Sequence, residues 1–222
     1  MDYFDLGEHS VLRLEEISKS YSSRQIFRNL SHHFGYGIFA IQGPNGIGKS
    51  TLLALLSGAQ SLDAGDVRIE EFSLTRQPLA AKSRLSYVPD ECPIYPFMTG
   101  MHFLEFVCAA KKSKLDKNIL AIVDGFGLAP YLDTRFDAMS LGTQKKFMLS
   151  AAWIGEPVVM LIDEPSNALD ISAKNLLADL FKERQQRCVI LFSTHDADFV
   201  TATGASVVQL AELIKGATEL IA

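Results

Sequence analysis

The run Gly43-Pro44-Asn45-Gly46-Ile47-Gly48-Lys49-Ser50, followed by Thr51, carries the residue types needed to hold a nucleoside triphosphate. It fits the pattern glycine, four residues, Gly-Lys-Ser in full. Glycines let the backbone turn tightly and aim its N–H groups inward. A helix starting near Lys49 would add the positive end of its dipole. Lys49 supplies a point charge to the β- and γ-phosphates, and Ser50 offers a hydroxyl to Mg²⁺. The competing reading, a plain glycine turn ahead of a helix, explains the glycines but not the lysine and serine that follow them.

Three other positions could join that chemistry. Asp163 and Glu164 end an apolar run, where Asp163 could hold the Mg²⁺ shell and Glu164 could polarise an attacking water. Taken alone, the same pair could simply cap the next turn. His195 follows a second apolar run. It is either structural or placed to reach a γ-phosphate from a neighbouring strand. Ser140-Leu141-Gly142-Thr143 precedes a helical stretch. Ser140 suits a helix N-cap, and the free N–H groups of that first turn form an anion site if they do not merely close the helix.

These residues need a frame. Residues 11–18 partly alternate and read as a strand, and residues 37–42 are a short apolar run before the glycines. Leu52, Leu53, Leu55 and Leu56 recur at helical spacing, with Gly58 as a stop. Residues 84–88, 158–162 and 188–193 predict further strands, and residues 141–154 and 172–186 predict helices, the latter with Leu176, Leu177, Leu180 and Phe181 on one face. Between about 90 and 139 the chain changes character, with helical runs at 101–110 and near 117–126. Continuous apolar strands separated by helices predict an α/β fold with a parallel sheet covered on both faces. Ligands of such sheets bind beyond the carboxyl ends of the strands. Lys49, Asp163 and His195 all fall there.

Composition sets the outer limits. With 222 residues the chain suits one large domain, and 48% hydrophobic with 21% charged residues is an ordinary globular balance. A net charge of −5 gives no reason to expect nucleic acid, and the basic cluster Lys111-Lys112-Ser113-Lys114 reads as a solvated helix end or loop. Three cysteines without CxxC spacing predict neither a disulfide framework nor a zinc site, which fits a reducing, cytoplasmic compartment. The first five residues, Met-Asp-Tyr-Phe-Asp, carry two acids and no basic region, so no signal peptide is expected there. No apolar stretch approaches the ~20 residues of a membrane span. Any membrane contact is expected only through a partner.

Together the motifs resemble the nucleotide-binding domain of ABC (ATP-binding cassette) ATPases, over about residues 11–216. Residues 43–51 look like Walker A and residues 158–164 like Walker B, with Glu164 at the catalytic glutamate. Ser166-Asn167-Ala168-Leu169-Asp170 matches the D-loop, His195 the switch histidine, and Tyr21 stands near the aromatic that stacks on adenine. Met139-Ser140-Leu141-Gly142-Thr143 occupies the signature position, usually Leu-Ser-Gly-Gly-Gln, with Thr143 rather than Gln144 at the glutamine. The resemblance implies a P-loop NTPase of ABC type, with a small antiparallel β part near the N-terminus and a helical subdomain, about 91–155, inserted between Q-loop and Walker B of a single 1–222 domain.

The sharper departure is Asp90. Tyr87-Val88-Pro89-Asp90 aligns with the Q-loop, where glutamine is usual. An aspartate near a triphosphate is unfavourable unless it ligates Mg²⁺ or is held back; the expectation is that it senses Mg²⁺ through water. Residues 96–106 resemble the segment after the Q-loop in cassettes of ABC-2-type exporters, and part of the Met98, Met101, Phe103 cluster is expected to grip a membrane partner. The implied activity is hydrolysis of Mg-ATP to ADP and phosphate at a composite site in a homodimer or heterodimer of cassettes. There Lys49, Ser50 and Asp163 hold Mg-ATP, and Ser140 and Gly142 close from the opposite chain. The implied task is to drive a separate transmembrane permease from the cytoplasmic face of the membrane. Two other readings stay open: a soluble ABC protein of translation or DNA repair, and a non-catalytic nucleotide-binding regulator.

Overall fold

The apolar runs do assemble into one parallel sheet. The computed structural model describes residues 10–22, 24–91 and 94–219; Cys92 and the first five residues lie outside them. The strands are β3 (Gly37–Gln42), β6 (Leu85–Val88), β7 (Val159–Ile162), β8 (Val189–Ser193) and β9 (Ser206–Gln209), in the order β6-β7-β8-β3-β9. Every neighbouring pair is parallel. A second, antiparallel sheet runs β2-β1-β4-β5, from β1 (Leu12–Tyr21), β2 (Arg24–Phe34), β4 (Ala64–Ile69) and β5 (Phe72–Ser73).

Whereas β9 at the sheet edge is mostly exposed, the central strands β7 and β8 are buried on both faces, which explains why they read as unbroken apolar runs. Their side chains still obey the period of two. Met160, Ile162, Ile190 and Phe192 enter one core, while Val159, Leu161, Val189 and Leu191 enter the other. The second core holds α1 (Lys49–Ser57) between the two sheets, with Leu52, Leu53, Leu55 and Leu56 fully buried. The first core is helical: α3 (Gly100–Ala110), α4 (Lys117–Gly125), α5 (Leu141–Ala151), α6 (Ile171–Arg184) and α7 (Ala197–Thr203) pack on the opposite face of the sheet. Phe181 is its hub, in ring contact with Trp153, Phe192 and Phe199. Trp153 is thus core. Short α2 (Pro78–Ser83) and α8 (Leu210–Glu219) complete the element order.

The helix stops follow their predicted chemistry. Gly58 ends α1 at φ +69 and its N–H bonds to the carbonyls of Ala54 and Leu55. Cys108 and Cys188 are buried free thiols, and burial pushes Cys188 up to about 11, the behaviour of an inert core residue.

Candidate functional site

The carboxyl ends of β3, β7 and β8 converge on a pocket of about 830 Å³. Tyr21, Asn45, Gly46, Gly48, Lys49, Ser50, Thr51, Asp90, Glu164 and His195 line it. Residues far apart in sequence thus meet where the strand pattern predicts. Gly43, Pro44 and Ile47 belong to the same loop without lining the pocket; the Ile47 N–H donates to the Pro44 carbonyl at 3.3 Å and tightens the turn.

The loop requires glycine at Gly48 for two reasons. Its φ is +116, and a Cβ there would stand 2.8 Å from Ile26 Cγ2 and 3.1 Å from the Phe27 ring. Gly48 is also the N-cap of α1 and offers no side chain to close it, so the first-turn N–H groups stay available to an anion. Lys49 is buried at 7% exposure, and its Nζ donates to the carbonyls of Gly43 at 2.9 Å and Pro44 at 3.5 Å. Tyr21 ends β1 with its ring exposed to the pocket, its hydroxyl bonded to Gln60 Oε1 and Lys19 Nζ 5.4 Å from the ring centre.

Asp163 follows β7 and is buried at 4% exposure. Its Oδ1 accepts from Ser193 Oγ, and the same hydroxyl accepts from the Glu164 N–H at 3.0 Å. One serine at the end of β8 therefore fixes both acids. Glu164 takes a left-handed φ of 45, a strained conformation for a residue with a side chain and one that concentrates at functional sites. Burial pushes its carboxyl above the usual value; His195 pulls it back, and Asp163 and Asp90 add to the rise. His195 Nε2 stands 3.6 Å from Glu164 Oε1, and its side chain is 54% exposed, so it faces open space rather than core. Ser50 and Asp90 line the pocket and buried Asp163 does not; the hydroxyl and carboxylate oxygens of the three are of the hard donor type that Mg²⁺ takes, alongside water and phosphate. They fit that ion.

Ser140, Gly142 and Thr143 do not line this pocket. Ser140 Oγ caps α5 by accepting from the Thr143 N–H at 3.2 Å and lies 2.9 Å from Thr143 Oγ1. Gln144 turns the other way, with Nε2 donating to the carbonyls of Phe136 at 2.7 Å and Met139 at 3.3 Å. Leu141, at the position of the expected glycine, is 75% exposed. The first turn of α5 lies hard against residues 166–170: a Cβ on Gly142 would stand 2.5 Å from the Ala168 carbonyl, and Lys146 Nζ is 2.6 Å from Asp170 Oδ2. Asp170 also caps α6 by accepting from the Ala173 N–H at 2.9 Å.

Asp170→Ala is expected to cost about 1 kcal/mol at pH 7, the scale of a lost N-cap, since the ion pair itself is largely solvated. The hydrogen bond from Lys146 holds the Asp170 carboxyl down to about 2, against an ordinary 3.8. The folded pKa is the lower one, so this contribution is complete above 3.8 and disappears as pH falls toward about 2. Urea unfolding of both proteins across that window measures it.

Motif reading alone misses other participants besides Ser193. Lys174 and Asp196, paired at 2.6 Å, line the pocket beside His195. Lys145 is buried at 4% exposure under Asp90, whose Oδ1 lies 3.6 Å from its Nζ and accepts from Asn167 Nδ2 at 3.2 Å. The signal for Lys145 was its register: Met148, Leu149 and Ala152, at helical spacing from it, are all buried, so a lysine begins the apolar face of α5.

Away from the pocket, Met98 and Phe103 are half-buried and pack in part against the helical core. The exposed apolar residues nearby are Tyr95 and Phe97, stacked 5.5 Å apart, and Phe106. A groove of about 430 Å³ is lined by Tyr87, Val88, Ile94, Phe103, Val107 and Met148, sequence neighbours of these exposed residues among them. Among the described residues, no helix is long and apolar enough to cross a membrane.

Comparison with known proteins gives a consistent result. The profile of the ABC transporter family matches residues 27–167. The spermidine/putrescine import ATP-binding protein PotA of Mycoplasma mycoides subsp. mycoides is 26% identical over 197 residues, covering 86% of this chain and 56% of that protein. The linearmycin resistance ATP-binding protein LnrL of Bacillus subtilis is 24% identical over 190 residues, covering 83% of this chain and 61% of that protein. This chain thus spans somewhat over half the length of these relatives. A solved dimeric ATP-binding cassette, in a post-hydrolysis state bound to ADP and Pi, superposes with a TM-score of 0.74 at 19% identity, covering 86% of this chain and 90% of that one. At that identity the likeness is one of fold.

Proposed function

This chain belongs to the ABC transporter family, and on that premise we propose that it binds and hydrolyses Mg-ATP to drive export through a separate membrane permease. The observation that carries this reading is the meeting of Lys49, Ser50, Glu164 and His195 in one pocket beyond the strand ends. The capped first turn of α5 stays outside that pocket and free to serve a second chain.

The roles follow from the geometry. The open N–H groups of the loop and of α1, together with Lys49, bind the phosphates. Tyr21 stacks on the base. Ser50, Asp163 and Asp90 would hold Mg²⁺, which would supply charge neutralisation on the phosphates. Glu164 orients the attacking water and takes its proton as the bond from the γ-phosphorus to the bridging oxygen of ADP breaks. His195, beside Glu164, donates to a γ-phosphate oxygen. Ser140, Gly142 and Thr143 close on the γ-phosphate of the opposite cassette in a head-to-tail dimer. Residues 91–155 act as the helical subdomain, and the groove beside Phe103 with exposed Tyr95, Phe97 and Phe106 seats the permease at the cytoplasmic face of the membrane. The PotA and LnrL names point to import and to resistance respectively. The exporter-like segment at 96–106 favours export.

Mg²⁺-dependent release of phosphate from ATP by the purified chain, and recovery of an integral membrane polypeptide with it from detergent-solubilised membranes, test the proposal. A chain that binds ATP and releases no phosphate, alone or with its membrane partner, would point to the regulatory reading instead.

A further inference from the structure

We propose that Lys145 is a positioning residue that locks the loop carrying Asp90 to the end of β7 and offsets the Asp90 charge beside the phosphate site. Its Nζ donates to the carbonyls of Pro89 at 3.1 Å, Asp90 at 3.3 Å and Asp163 at 3.0 Å. Pro89 and Asp90 follow β6 and Asp163 follows β7, and these two strands are parallel neighbours. A side chain from α5 therefore grips two adjacent strand ends at once, six residues after Met139 in the helix that begins beside Ser140.

The charges explain why this lysine and this aspartate occur together. A buried ammonium surrounded by neutral carbonyls is costly unless a counter-charge lies near. The Asp90 carboxylate supplies it at 3.6 Å. Conversely, a bare carboxylate lining a phosphate pocket repels its ligand. With Lys145 on one side and Asn167 Nδ2 at 3.2 Å on the other, Asp90 is held and its charge offset. Any shift of α5 then moves Asp90 and the backbone of Asp163 together, so the helix that serves the opposite site is mechanically tied to this one.

The nucleotide half of the proposal rests on the Mg-ATP reading of the pocket; the lock itself does not. The test uses the whole chain in four forms: parent, Lys145→Gln, Asp90→Gln and the double variant. Two quantities are measured, urea stability without nucleotide and Mg-ATP affinity by direct titration. Lys145→Gln is expected to weaken Mg-ATP binding about tenfold, because it leaves the Asp90 charge uncompensated. The double variant should return to within about threefold of the parent, and its stability loss should fall short of the sum of the single losses. A lysine that acts only in packing would cost the same whether residue 90 is Asp or Gln, and additive effects in both measurements would overturn the proposal. If Lys145→Gln gives no folded protein, a folded double variant supports the pairing and an unfolded one refutes it. If the parent binds no Mg-ATP, the pocket reading fails and the nucleotide-free coupling alone decides the lock.

Discussion

Glu164→Gln is expected to slow ATP hydrolysis about 10²–10³-fold while leaving Mg-ATP binding nearly intact, so that an ATP-bound dimer accumulates. The amide keeps the size of the side chain and loses the ability to accept a proton. Several observations place the effect in the chemical step. Glu164 is held in a left-handed conformation at φ 45, with its N–H fixed by Ser193 Oγ at 3.0 Å. Its side chain is only 15% exposed, and burial raises its pKa, which makes the carboxylate a better proton acceptor than a solvated one. None of these contacts binds the phosphates, so the substitution should lower kcat with little change in affinity. Light scattering with and without Mg-ATP reads the dimer, and phosphate release reads the rate. A variant that stays monomeric in saturating Mg-ATP would count against the composite site.

The same physics explains which parts of this fold were legible in the sequence. Strands β7 and β8 announced themselves because burial on both faces leaves almost no polar residue in them, and β3 and β6 as short runs bounded by turn residues. Helix α1 announced itself through its leucines and Gly58. Of the antiparallel sheet, which the family resemblance implied, only β1 was legible in its own residues, at 11–18; β2 and β4 were not. Strand β2 buries Phe27, Leu30 and Phe34, a spacing closer to a helix than to a strand. The cause lies in the pairing with β1, where the register shifts between Leu14 and Ile17, between Ile17 and Lys19, and again before Ser20. Glu16 at φ 51 and Asn29 at φ 47 mark the irregularities. Bulges break the alternation that makes a strand visible. In β4, Gly65 at φ +86 backs onto the Glu15 and Glu16 carbonyls, and a glycine inside a strand reads as a turn.

The site divides along a similar line. Backbone-defined parts are motifs and could be read: the loop at residues 43–51, the acids after β7, the histidine after β8. Parts defined by tertiary charge pairing could not. Asp90 looked like a departure that ought to disturb a phosphate site, because the sequence shows its charge and hides Lys145, 55 positions away and buried. Ser193, which orders both Asp163 and Glu164, hid as the last residue of an apolar strand.

Lys49→Ala should weaken Mg-ATP binding about 10²–10³-fold, the scale of removing one partner from a desolvated, hydrogen-bonded charge pair. The expectation depends on what Lys49 does when phosphate is absent. It is 7% exposed, yet its Nζ rests on the Gly43 carbonyl at 2.9 Å and the Pro44 carbonyl at 3.5 Å, partners that are neutral and belong to the loop itself. Those bonds hold the cation in place without cancelling its charge, so the full charge remains available to a triphosphate. The stability of the nucleotide-free protein should therefore change by only about 1 kcal/mol, as for one net hydrogen bond. Lys49→Arg should not restore affinity, because a planar guanidinium cannot take the place of a compact ammonium among the loop carbonyls. Isothermal titration with Mg-ATP, set beside urea unfolding without nucleotide, separates the two quantities. A large loss of stability with affinity retained would make Lys49 a structural brace of the loop rather than the group that meets the phosphates.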